Sequence, residues 1–65
     1  MNRNEFLARL RKGLVGLTQA AADDIVADYE AHFDEGRAAG RSEQDVAAAL
    51  GNPDRIAREL KAEAG

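Results

Sequence analysis

The side chains here that could do chemistry are few. His32 follows Asp28 by four positions, a spacing that puts both on one face of a helix, where a paired imidazole or half of a metal site can be imagined. Apart from Tyr29, the only hydroxyls are those of Thr18 and Ser42, and cysteine is absent. Nucleophilic catalysis needs a nucleophile and a base held together, and a transition-metal site needs several converging ligands. With no second histidine, His32 reads more simply as a satisfied or solvent-facing residue. The acidic run Asp23, Asp24, Asp28, Glu30, Asp34 and Glu35 could attract a divalent cation. Carboxylates strung along a helix, however, lack the loop that gathers six or more oxygens around one ion. No catalytic residue, cofactor or metal ligand is expected, and the chain reads as a non-enzyme.

The distribution of charge says more than the net of −3. Residues 1–17 carry Arg3, Arg9, Arg11 and Lys12 against Glu5, whereas residues 18–36 carry six carboxylates and no lysine or arginine. An acidic stretch of that kind does not follow a phosphate backbone, so direct nucleic-acid binding is not expected there. It fits a basic surface, either the first helix of the same domain or another protein. Asp24 with Asp28, and Glu30 with Asp34, are like charges one helical turn apart, each pair unfavourable by a few tenths of a kcal/mol, that is, about 0.2–0.5. Cations from Arg9, Arg11, Lys12 or a partner are expected to relieve them.

Such residues must be positioned by helices. Fourteen alanines, one proline and the absence of β-favouring runs point to an all-α fold, a compact bundle of three to four short helices in one domain, residues 1–65. At 65 residues it buries a smaller share of its surface than a domain of typical size, and without cysteine it has no disulfide to support it. The first helix opens at Asn2 with Glu5 at capping-box spacing, carries Phe6, Leu7, Leu10 and Leu14 as a stripe, and is weakened by Gly13 and Gly16 toward an end near Leu17. Thr18 caps the second, which runs from Gln19 to about Ala39, with Asp23 and Asp24 placed near its positive end. Ala22, Ile25, Val26, Tyr29, Phe33 and Gly36 form its seam, and Gly40 is its stop. Gly36 lies inside that pattern, so either the helix ends early or another backbone packs close to it. Ser42 and Asp45 open a third helix with Val46, Ala47 and Leu50, closed by Gly51. Asn52 and Pro53 begin a fourth, with Ile56, Ala57 and Leu60 inward, Asp54–Arg58 and Arg55–Glu59 four apart, and fraying near Gly65.

Two further readings follow. The last two helices have the outline of a helix-turn-helix, but the second begins Pro53, Asp54, Arg55 and so offers an acid where base edges would be met. Part of the set Phe6, Leu7, Leu14, Val15, Val26, Val46 and Leu60 is expected to stay exposed on so small a domain, as a place for a partner helix. No stretch is apolar enough for a signal peptide or a membrane span.

The order MNRNEFLARLRKGL, then DYEAHFDEG, then GRSEQDVAAALGNPDRIAREL resembles the HAAS domain, the helix-turn-helix-associated alpha-helical signalling domain, over about residues 1–62. The similarity is carried by Asp28, Tyr29, Glu30, His32, Phe33, Glu35 and Gly36, followed by Leu50, Gly51, Pro53, Ile56 and Ala57. Thr18 stands where a proline is frequent in that family. The resemblance implies a cytoplasmic helical bundle, usually at the N-terminus of a bacterial membrane protein, that binds and modulates a PadR-like transcriptional regulator. Asp28, Tyr29, Glu30, His32, Phe33, Asp34 and Gly36 are the candidate partner-binding residues. With no membrane segment read after Ala64 and Gly65, the expectation is either an excised domain or one that acts without a membrane anchor, and attachment is an expectation about a parent protein. A helix-turn-helix-like DNA-binding module and a self-associating structural module are the alternatives.

Overall fold

In the computed structural model, which describes residues 1–64, the chain folds into α1 (Arg3–Gly13), α2 (Gln19–Ala38), α3 (Glu43–Leu50) and α4 (Pro53–Ala64). The expected fraying at Gly65 lies outside the described residues. α1 is the organising helix and packs against each of the other three, while α3 also packs on α2. The core is Phe6, Leu10 and Leu14 of α1 and its cap, Ala22, Val26 and Phe33 of α2, Val46 and Ala47 of α3, and Ala57 of α4. At its centre the Phe6 ring meets Phe33 edge-on with centroids 5.3 Å apart and Tyr29 tilted at 5.9 Å. These are separations at which the ring quadrupoles attract.

Caps define the helix ends. Asn2 Oδ1 accepts from the Glu5 N–H at 2.7 Å, Thr18 Oγ1 from Ala21 at 3.2 Å and Ser42 Oγ from Asp45 at 3.1 Å. Asn52 Oδ1 accepts from Asp54 at 2.8 Å, with Pro53 buried as the first residue of α4. The Glu5 carboxylate does not complete its capping box but turns to Arg9, 3.7 Å away. α2 closes with Arg41 N–H donating to the Gly36 carbonyl and Gly40 N–H to that of Arg37, the paired bonds of a Schellman end. Gly40 takes φ +82 there, a conformation that L side chains seldom adopt.

Four expectations are corrected or settled. α1 ends at Gly13, not near Leu17, because Gly16 at φ +109 turns the chain. The Leu14 N–H is shared between the Leu10 and Arg11 carbonyls, and Leu17 donates to Leu14. Asp23 and Asp24 lie beyond the first turn of α2, outside the short reach of the helix dipole. Gly36 is interior to α2, and what packs against it is a side chain: a β-carbon there would collide with Val46 Cγ2. Of the apolar set expected at the surface, Val15 is 71% exposed on the turn after α1, Leu7 and Leu60 are half-buried, and Phe6, Leu14, Val26 and Val46 are buried.

The candidate interaction surface

α2 divides its residues by the helical period. Ala22, Val26, Phe33 and Gly36 face inward. On the far side Asp24, Asp28 and Glu35 fall in one stripe with Ala31, flanked by Ala20, Ala27 and Ala38, all of them exposed. The small side chains leave the carboxylates standing on a smooth ridge. Asp24, Asp28, Asp34 and Glu35 have no ion-pair partner among the described residues. The like-charge pair Asp24–Asp28 therefore stays unrelieved within the chain.

The two seam acids are treated differently. Arg11 reaches Asp23 at 2.8 Å, and Arg3 reaches Glu30 at 3.2 Å, so α1 neutralises the edge of α2 that it lies against. None of the cations expected to relieve the Asp24–Asp28 and Glu30–Asp34 pairs does so: Arg11 pairs with Asp23, a member of neither, Arg9 pairs with Glu5, Lys12 has no ion-pair partner among the described residues, and it is Arg3 that supplies the contact to Glu30. The Arg3 backbone N–H also donates to Glu43 Oε1 at 2.9 Å, which ties the start of α1 to α3. Arg3, Asn4, Phe33, Asp34, Arg37 and Glu43 line a depression of about 270 Å³ at this junction.

The seven candidate partner-binding residues are thus not one surface. Asp28, His32 and Asp34 are exposed, and Tyr29 and Glu30 are half-buried. Phe33, only 3% exposed, and Gly36, against Val46, are interior; they join α2 to α1 and α3 and cannot meet a partner without unfolding. The His32 ring lies 5.6 Å from that of Tyr29, on the side of α2 away from the Arg3–Glu30 pair. Burial, then the Asp28 charge, then that of Glu59 hold the Tyr29 phenol above its ordinary 10.0. No group of three His, Asp or Glu side chains is placed to hold a metal ion among the described residues.

A second charged feature was not singled out by sequence reasoning. Arg9 and Lys12 of α1 and Asp54 and Arg58 of α4 surround an open depression of about 720 Å³ with Gly13 at its base. Its signal in the sequence is the pair of spacings, three on α1 and four on α4, which put each pair on one helix face. Only tertiary structure shows that the two faces meet. On α4 the pair that closes is Arg55–Glu59, at 3.1 Å.

The four helices, their caps and the DYEAHFDEG segment in its place on α2 converge on one comparison. The HAAS family model matches residues 5–59, most of the chain. The chain belongs to the HAAS family. No curated protein and no solved structure matches it. HAAS is a family of small signalling and interaction domains, not a known enzyme family. The matched span takes in every core residue of this HAAS domain and the whole ridge Asp24, Asp28, Glu35. It begins after Arg3, the residue that neutralises Glu30. No described helix is long and apolar enough to cross a membrane.

Proposed function

We propose that this HAAS domain binds and modulates a PadR-like transcriptional regulator through the outer face of α2. The observation that carries the reading is the ridge of Asp24, Asp28 and Glu35, exposed, unpaired and set among alanines on a helix whose other face is core. Such a ridge lets a basic surface come close without steric obstruction, and opposite charge steers the encounter and fixes its register. Asp28, His32 and Asp34 are the contact residues, with Tyr29 and Glu30 at the margin. The domain is a single unit over residues 1–65 and acts in the cytoplasm, where a DNA-binding regulator works. Attachment to a membrane, in a parent protein that has one, comes through a segment outside these residues.

The mechanism is a biased equilibrium. The domain shifts the regulator's DNA affinity only by as much as it prefers one regulator state over the other. A direct DNA-binding role is disfavoured by Asp54 in the first turn of α4, an acid where base edges would be met, and by the main packing of α3 on α2 and α1 and of α4 on α1.

The test is co-purification with the PadR-like regulator encoded nearest to it, calorimetry at two salt concentrations, and operator binding by the regulator with and without saturating domain. Saturable binding that weakens with salt, falls about tenfold in D28K/E35K and changes operator affinity is the expected result, a tenfold loss being about 1.4 kcal/mol. An operator affinity untouched by saturating domain overturns the proposal.

A further inference from the structure

The charges that pair between α1 and α2 within one molecule are Arg11–Asp23 and Arg3–Glu30. Others are left over on both sides of the ledger. Lys12 and Arg58, facing each other across the depression between α1 and α4, have no carboxylate partner among the described residues, and Arg9 beside them has only the loose contact with Glu5. Asp54 on the same wall leaves the depression with three cations against one anion. On α2 the ridge of Asp24, Asp28 and Glu35 is equally unmatched. Opposite charges stranded in one copy can be satisfied between copies.

We propose that the cationic depression between α1 and α4 receives the acidic α2 ridge of a second copy, so that HAAS domains associate head to tail. The fit is one of form as well as sign. The ridge is a helix face with carboxylates a turn apart and alanines between them, so it can enter an open depression of about 720 Å³ without large side chains in the way. Spaced carboxylates can also straddle Asp54, which a continuous row of phosphates would have to lie against. With a net charge of −3, two copies repel in most orientations, so the attraction acts only where ridge meets depression.

Two properties follow from the geometry. The contact joins different surfaces, so each added copy leaves one ridge and one depression free, and association does not stop at a dimer. Its ion pairs are exposed, so the contact is weak and fades as salt screens it. The ridge is also the surface assigned above to the regulator, so the two partners exclude each other; the self-contact itself requires no regulator.

The experiment is sedimentation equilibrium of the full chain from micromolar to millimolar concentration at low and high salt. Wild type is expected to show a mass that rises with concentration at low salt and returns to monomer at high salt. K12Q/R58Q, which keeps its ridge, and D24N/D28N, which keeps its depression, are each expected to stay monomeric alone and to form a heterodimer and nothing larger when mixed, since neutralised rather than reversed charges give the two altered surfaces no attraction for each other. All four positions are exposed, and far-ultraviolet circular dichroism checks that the variants are folded. In the mixture, amide resonances of labelled K12Q/R58Q should move along residues 24–35, and those of labelled D24N/D28N around Lys12, Gly13 and Arg58. A wild type that stays monomeric at millimolar concentration and low salt overturns the proposal, as do variants that associate as wild type does or a mixture that remains monomeric. Because no regulator is present, these outcomes are independent of the reading in the preceding subsection.

Discussion

Gly13 on α1 lies so close to Ala57 on α4 that a β-carbon built at Gly13 would stand 2.6 Å from the Ala57 Cβ. Both positions are small because two backbones cross there, and neither methyl could move aside on a flexible stem. Gly13→Ala should therefore destabilise the domain by about 1–3 kcal/mol, the range for overpacking, despite alanine's better helix propensity. Urea unfolding of G13A, A57G and G13A/A57G tests this. The double variant should be more stable than the sum of the single effects requires, with a coupling of about 1 kcal/mol or more. Simple additivity would mean that the crossing is not tight.

A second close contact holds α3 to α2. Val46 is β-branched and stiff about its first torsion, so it cannot swing away from a methyl added at Gly36. G36A is expected to lose about 1–3 kcal/mol. V46A should accept the new methyl, so that G36A/V46A unfolds at a higher denaturant concentration than the two separate losses imply. Equal stability of G36A and wild type would place the extra methyl in open space.

Glu43 acts as a cap for a helix other than its own. By accepting the Arg3 N–H, its carboxylate satisfies a donor at the start of α1 that has no partner within that helix. Glu43→Ala should remove about 1 kcal/mol, the usual size of a lost cap, and Glu43→Gln less because an acceptor remains. Glu59→Ala, which breaks only the exposed pair with Arg55, should remove about 0.3–0.5 kcal/mol. Thermal melts of the three variants decide the order.

Tyr29 is the only tyrosine and tryptophan is absent, so its ionisation can be followed directly by tyrosinate absorbance. Burial is the first cause of its raised pKa, followed by Asp28 and Glu59. In the unfolded chain the phenol releases its proton near the ordinary 10.0, while the folded domain retains it to higher pH. The linked stability is therefore complete below about pH 10 and is lost as pH rises through the folded-state value. The folded domain should titrate above 10, with D28N and E59Q each moving the midpoint down and neither restoring it fully. A midpoint unchanged in both variants would leave burial as the whole cause.

Much of the fold was legible in the sequence because the signals are local. Asn2, Thr18, Ser42 and Asn52 each mark a helix start with a side-chain oxygen that bonds within three residues, and Gly40 marks a stop whose backbone angle needs no distant contact. The end of α1 was harder to read. Gly13 and Gly16 both weaken that helix, and only the path of the turn through Leu14 and Leu17 determines which of them ends it.

The candidate surface was legible only in part. The acidic run on α2 follows from composition and period, and so does the inward position of Phe33 on the seam. Which acids are free does not. Asp23 and Glu30 are neutralised by Arg11 and Arg3, residues distant in sequence, whereas Asp24, Asp28 and Glu35 are left bare by the same packing. Gly36 carries no sequence mark that separates a helix end from a close contact, and Val46, ten positions away, settles it.

By itself, then, the sequence determined the all-helical class, the caps, the membership in the HAAS family and the sign of the charge on α2, since each depends on side chains within a turn or two of one another or on their order along the chain. Tertiary structure alone decided which of those charges remain unpaired, where α1 and α4 enclose Lys12 and Arg58, and which apolar residues reach solvent. Those depend on how rigid helices of fixed length cross at Gly13 and Gly36, and contacts between distant segments leave no periodic trace in any one of them.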